Sequence, residues 1–278
     1  STQSRSSAAS DVYKRQGQYA NVYEISPFNV PSPHITLSHV IKLKDIIIKE
    51  FSKNHYDGCV ITHGTDTLEE TAYLLDLTID ISQPIVITGA MRSSNEIGSD
   101  GLYNFISAIR VATSLEASDK GVMVVFNDEI HTARNVTKTH TSNINTFQSP
   151  NQGPLGILTK DRVQFYNRPY RQTVFPRIDE SLNVPLIKAY MGMTKDVLEF
   201  YAQQNVQGII IEALGQGNLP PSCLKGIESC VKKDIPIVLV SRSFNGIVSP
   251  VYDYEGGGFQ LAEEGLIFSN GLNGPKAR

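Results

Sequence analysis

Apolar positions along the chain alternate between two periodicities, and the alternation predicts the architecture. Val40, Leu43, Ile47 and Phe51 recur at helical spacing behind an extended Pro31-Ser32-Pro33, with Thr36 or Ser38 available as N-cap. The β-branched run Cys59 to Ile61 reads as a short strand. A second helical stretch carries Leu68, Ala72, Leu75 and Ile79, and Ile85 to Ile87 after Pro84 forms the next buried strand. A helix from about Leu102 to Ser114 and a strand from Val122 to Phe126 continue the series. Strand and helix in strict succession predict crossover units, hence an α/β fold: a doubly wound, mostly parallel sheet with helices on both faces. Between Asn151 and Asn183 the pattern gives way to Pro, Gly and polar residues around two short apolar pieces, Leu155 to Leu158 and Val163 to Tyr166. These predict a hairpin and then a linker. From Val184 the alternation resumes through Leu186 to Ala189, Val197 to Tyr201, Ile209 to Ile211, a helix after Pro220-Pro221, and Ile235 to Val240. A smaller α/β domain is expected there. The organisation is therefore a tail over 1–17, an N-terminal α/β domain over 18–165, a linker over 166–183 and a C-terminal α/β domain over 184–278.

The ends differ from the rest. The first ten residues hold five Ser and no branched aliphatic residue, so they are expected to be a disordered and non-native tail. Gly274-Pro275-Lys276-Ala277-Arg278 reads as the start of a helix, with Pro in the first turn.

Composition narrows the partners. With 25 basic against 28 acidic residues the net charge is −3, so neither a nucleic-acid footprint nor a polybasic membrane face is present, and a small molecule becomes the default partner. No apolar run approaches the roughly 20 residues of a spanning helix. Three cysteines, Cys59, Cys223 and Cys230, suit neither a disulfide framework nor a zinc site. They read as buried, inert thiols and lean towards a reducing, cytoplasmic compartment. The six histidines show no metal-ligand spacing, and His63 reads as a residue that fixes loop geometry.

In parallel α/β sheets ligands bind where strands end, and three strand exits carry suitable chemistry. His63-Gly64-Thr65-Asp66-Thr67 places hydroxyls, a carboxylate and a helix N-terminus in one turn, although simple capping, with Glu69 and Glu70 complementing the helix dipole, explains the same residues. Thr88-Gly89-Ala90-Met91-Arg92 follows the Ile85 strand, where small residues admit a ligand to the backbone or merely make a tight turn. Asn127 to Thr141 interleaves Arg134, Lys138 and His140 with hydroxyls. A desolvated lysine can act as a base, whereas most lysines are simply solvated. Gly256-Gly257-Gly258 reads as a flexible turn and not as a phosphate cradle.

Together these segments resemble the bacterial-type L-asparaginase family. Its signature stands here as Gly58-Cys59-Val60-Ile61-Thr62-His63-Gly64-Thr65-Asp66-Thr67-Leu68, supported by the Thr88 to Arg92 turn, Arg134-Asn135-Val136-Thr137-Lys138-Thr139, Gly215-Gln216-Gly217-Asn218-Leu219 and the closing Gly274 to Arg278. The resemblance implies hydrolysis of L-asparagine to aspartate and ammonia through a threonine acyl-enzyme, without metal or cofactor. It implies Thr65, Asp66 and Lys138 as catalytic residues. It further implies Ser32, Gly64, Ala90 and Asn218 as substrate-binding positions: Ser32 for the α-carboxylate, Ala90 through its carbonyl, and Asn218 reaching a neighbouring site within a homotetramer of intimate dimers. Asp66 would also receive the α-ammonium. Family members begin with a strand running into Thr-Gly-Gly-Thr-Ile and close with further helices. Neither is found here, so the chain is expected to be a fragment, inactive as it stands and poorly soluble through unpaired strand edges. The alternatives are a glutaminase-asparaginase, the amidase subunit of a transfer-RNA amidotransferase, and a non-catalytic amino-acid-binding protein.

Overall fold

The computed structural model describes residues 19–170 and 173–278, arranged as two compact units divided between Ile178 and Asp179. The expected tail over 1–17 lies outside the described residues, as do positions 171 and 172 of the expected linker.

The first unit is a six-stranded sheet with helices on both faces. Its strands are β1 (Cys59–Thr62), β2 (Ile85–Thr88), β3 (Val122–Phe126), β4 (Glu129–Thr132), β7 (Gly156–Leu158) and β8 (Val163–Phe165), hydrogen-bonded in that order. The first three run parallel, with Cys59 opposite Ile85 and Ile85 opposite Val122; the last three extend the sheet antiparallel. Three helices, α1 (Leu37–Lys53), α2 (Leu68–Thr78) and α3 (Gly101–Ala112), cover it. Because successive strand residues point to opposite faces, Ile85, Ile87, Val122 and Val124 pack against α1 and α2, while Val86, Met123 and Val125 meet Ala108, Val111 and Ala112 of α3. Strands buried on both faces read as continuous apolar runs, which is why they stood out in the sequence. Thr36 is the N-cap of α1, its amide donating to His39 Nδ1 at 3.2 Å.

In this unit β4 and a small hairpin beyond it were not foreseen. Asn127 and Asp128 adopt positive φ (47° and 66°) and reverse the chain directly into β4. Beyond it, β5 (Thr137–Lys138) and β6 (Phe147–Gln148) pair only with each other and form a small hairpin outside the main sheet. The β6 side of that hairpin is anchored to the main sheet. The Phe147 ring packs on Phe126 with centroids 4.5 Å apart, and the fully buried His131 sits 2.9 Å through Nδ1 from Ser149 Oγ.

The second unit is a four-stranded parallel sheet in the order β12 (Ile267–Phe268), β11 (Ile237–Ser241), β10 (Ile209–Ala213) and β9 (Leu186–Lys188). Helices α4 (Asp196–Gln203), α5 (Leu224–Val231), α6 (Gly258–Glu263) and α7 (Gly274–Ala277) accompany it. β11 begins at Ile237, since Pro236 has no amide to donate to a ladder. The expected helix start at Gly274-Pro275 is present, with Asn273 Oδ1 accepting the Lys276 amide at 3.1 Å. At the glycine triplet the chain turns into α6: a Cβ at Gly256 would stand 2.3 Å from the Leu219 carbonyl oxygen, and one at Gly257 2.4 Å from that of Tyr252, so these glycines permit tight backbone packing there. Among the described residues no helix is long and apolar enough to cross a membrane.

Candidate active site

The site grows from the exit of β1. The His63 amide donates to the Thr88 carbonyl (2.8 Å) as the last rung between β1 and β2, and the chain then turns through Gly64, Thr65, Asp66 and Thr67 into α2. His63 holds that turn. A carbonyl can only accept, so Nδ1 carries the proton that reaches Gly64 O at 2.6 Å, leaving Nε2 to accept from the Thr71 hydroxyl at 3.0 Å. Burial lowers the His63 pKa, against a smaller opposing effect of the Gly64 carbonyl, and the neutral ring suits this structural part.

Ser32 comes from the short turn before α1 and is buried at 6% exposure. Its Oγ accepts the Asp66 amide at 3.2 Å, and its carbonyl accepts the Thr67 hydroxyl at 2.8 Å, so the Pro31-Ser32-Pro33 segment is stitched across the N-terminus of α2. Gly64 is required at this crossing, because a Cβ there would lie 2.8 Å from both Ser32 Cβ and Oγ. Having accepted a backbone proton, the Ser32 hydroxyl retains its own hydrogen for another acceptor.

The chemistry centres on Lys138. Its Nζ, on a side chain only 17% exposed, lies 3.0 Å from Thr65 Oγ1 and 2.6 Å from Asp66 Oδ1. Hydroxyl, amine and carboxylate are thus joined across 73 residues of sequence. Such a set can pass a proton from the hydroxyl to the amine while the carboxylate balances the resulting charge.

Residues that local sequence reasoning missed support this centre. Glu69, the second residue of α2, is buried at 7% exposure and does more than complement the helix dipole. Its Oε1 accepts the Thr137 hydroxyl at 3.1 Å and its Oε2 the Lys138 amide at 2.5 Å. Behind β2, the Asp100 carboxylate accepts the amides of Met91 (3.0 Å) and Arg92 (2.9 Å), and Asn104 Nδ2 donates to the Gly89 carbonyl at 3.1 Å. These bonds fix the turn that carries Ala90, which is itself exposed. Asp100, the N-cap of α3, and Asn104 in its first turn gave only the weak signal of polar residues at a helix N-terminus. A cavity of about 440 Å³, lined among others by Ser32, Thr62, His63, Gly64, Gly89 and Ala90, opens beside the turn. His140 is engaged elsewhere, its Nδ1 accepting the amides of Ser142 and Asn143 at 3.0 Å.

Thr65, Asp66, Lys138, Ser32 and Gly64 are therefore brought together directly, and Ala90 lines the same cavity as Ser32 and Gly64. Asn218 belongs to the second unit, where its Oδ1 accepts the Gly258 amide at 3.0 Å and its backbone bridges to Leu214.

The class defined is an α/β protein with a doubly wound sheet whose strand exit brings a threonine hydroxyl, a lysine and an aspartate together, where ligands of such sheets bind. The family model described as "Asparaginase, N-terminal" matches residues 2–171, and that for the "Glutaminase/Asparaginase C-terminal domain" matches residues 183–278. The chain is 37% identical to an L-asparaginase of Bacillus licheniformis over 90% of this chain and 78% of that one. It is 40% identical to a probable L-asparaginase of Deinococcus radiodurans over 92% and 79%. A crystal structure of a probable cytoplasmic L-asparaginase from Campylobacter jejuni superimposes with a TM-score of 0.87 at 32% identity, covering 95% of this chain and 84% of that one. The chain belongs to the asparaginase family.

Proposed function

We propose that the protein is an L-asparagine amidohydrolase, converting asparagine and water to aspartate and ammonia through a threonine acyl-enzyme. The observation that carries the mechanism is the contact of Lys138 Nζ with both Thr65 Oγ1 and Asp66 Oδ1. In this reading Thr65 Oγ attacks the side-chain amide carbon as its proton moves to the Lys138 amine. The proton then passes to the departing nitrogen, which leaves as ammonia, and water attacks the Thr65 ester to release aspartate and restore the hydroxyl.

The remaining groups suit the two charges of the substrate. The Ser32 hydroxyl, with its hydrogen still available, donates to the α-carboxylate beside the N-terminus of α2, where partial positive charge gathers. Asp66 offers its second carboxylate oxygen to the α-ammonium. The carbonyl of Ala90, on a turn held by Asp100, accepts from the amide nitrogen. Family membership supports assembly as a homotetramer of intimate dimers in which Asn218 approaches a neighbour's site, and the exposed Val251, Tyr252, Tyr254 and Phe259 of the second unit are surface that such an assembly can bury.

A coupled assay for ammonia tests the reading. The folded full-length gene product is expected to release ammonia from asparagine, and Thr65→Val and Lys138→Met introduced into it are each expected to lower turnover by about 10³-fold or more, as for groups that act together. A folded wild-type protein that releases none, or variants that match the wild type, would overturn it.

A further inference from the structure

Lys138 stands on a two-residue strand; the Phe147 and Ser149 contacts anchor the far strand of its hairpin, and the strand that carries Lys138 needs a tie of its own. A lysine side chain also has several freely rotating bonds, and its ammonium or amine sweeps a wide volume unless the backbone beneath it is fixed. What fixes it here is Glu69. The carboxylate reaches out of α2 and takes the Lys138 amide on one oxygen and the Thr137 hydroxyl on the other. The other end of the lysine meets Thr65 and Asp66, which precede Glu69 by four and three positions. Lys138 is therefore held at its amide and at its Nζ by the same turn and first helical residues.

A carboxylate at this helical position has a sufficient local role in complementing the dipole, and such residues normally point to water. Glu69 instead is buried and bonds to a partner 69 residues away. Hydrogen bonds to an ionised acceptor are roughly twice as strong as neutral ones, which suits a clamp. Resting on the proposed role of Lys138 as base, we propose that Glu69 is a positioning residue for the reaction: it sets the distance between Lys138 Nζ and Thr65 Oγ1 without touching the substrate.

Glu69→Gln tests this at constant shape. The neutral amide accepts at one oxygen only: with its NH₂ facing Lys138 the bond to that amide is lost, and with its NH₂ donating to the Thr137 hydroxyl the Lys138 amide keeps only an uncharged, weaker partner, so the clamp loosens either way. A displacement on the order of 1 Å at reacting atoms costs about 10²-fold, and kcat is expected to fall by about that factor while KM stays within about 2-fold, since Ser32 and Ala90 are untouched. In the Lys138→Met background the same substitution is expected to add no further loss, because the group it positions is gone. Unchanged kcat in Glu69→Gln, a fall in KM-dependent binding alone, or full additivity with Lys138→Met would overturn the proposal. Glu69→Asp keeps the charge but withdraws it by one methylene; it should show the same kcat-only loss to a smaller degree, and it serves as the test if Glu69→Gln does not fold. Crystal structures of wild type and variant decide the point without turnover. An Nζ that leaves Thr65 by about 1 Å or more is expected, and an Nζ still within hydrogen-bond distance refutes the inference. If the wild type releases no ammonia the hydrolytic reading fails, and the crystallographic comparison still judges the clamp.

Discussion

Gly89→Ala probes the seam between β1 and β2 on which the site is built. Gly89 follows the last residue of β2, and a Cβ placed on it would lie 2.2 Å from the carbonyl oxygen of His63 on the neighbouring strand. Ordinary contacts begin near 3.4 Å, so the shortfall is about 1.2 Å. The methyl group cannot swing aside, because Phe126 Cζ already stands at 3.4 Å and is fully buried against Phe147. The backbone must therefore move, and what moves is the His63 carbonyl immediately before Gly64 and Thr65. Forcing an extra methyl into a packed interior costs about 1–3 kcal/mol. For a domain of this size that is a fall of roughly 4–8 °C in the unfolding midpoint at the middle of the range. The effect on turnover is larger in proportion, since a shift of about 1 Å at the nucleophile costs on the order of 10²-fold. Differential scanning calorimetry with an ammonia assay on the same preparation reads both. Gly208→Ala is the control, because its Cβ would meet Pro236 at an ordinary 3.5 Å, and it should melt and turn over like the wild type. If Gly89→Ala is indistinguishable from Gly208→Ala in both measurements, the strand seam does not fix the position of Thr65 and the reasoning fails.

Two further outcomes follow from ionisation. Burial pushes the Cys59 and Cys223 thiols up to about 11 and raises Cys230 as well, so at about pH 8 only on the order of one thiol in 10³ is ionised at either of the first two sites. Ellman's reagent should find no fast-reacting thiol in the native protein and three after denaturation; one rapid native equivalent would refute the burial argument. Burial also lowers the His63 pKa from its ordinary 6.5. Below that value the unfolded chain takes up a proton that the folded ring resists, so this group subtracts stability as pH falls from 6.5 to the lowered folded value and no more below it. Urea midpoints at about pH 7.5 and about pH 5 should therefore separate more for the wild type than for His63→Gln, and equal separations would contradict the assignment.

Much of the fold was legible because its strands are buried on both faces. Ile85 to Ile87 and Val122 to Phe126 are continuous apolar runs bounded by Pro, Gly and polar residues, and no competing pattern fits them. β4 was not, because Glu129-Ile130-His131-Thr132 offers a single aliphatic residue; its burial depends on neighbours that the local pattern does not contain. β5 and β6 are too short to have a period at all. The same limit governs the site. Thr65 and Asp66 adjoin each other after a strand and could be suspected from the sequence, whereas Lys138, one lysine among many that are simply solvated, was set apart only by family resemblance. Glu69 was invisible for a different reason: dipole complementation explained it locally and hid its distant partners.

That arrangement has a consequence for tolerance. Thr65, Asp66 and Glu69 lie within five consecutive residues, and Lys138 is referenced to all three. When α2 shifts on its bed of core side chains, through heat or a substitution beneath it, Thr65, Asp66 and the strand carrying Lys138 are drawn along together. The displacement is common to every member and cancels in the distances between them. Sheet and helix packing can then shift while the spacing of Thr65, Asp66 and Lys138 is kept.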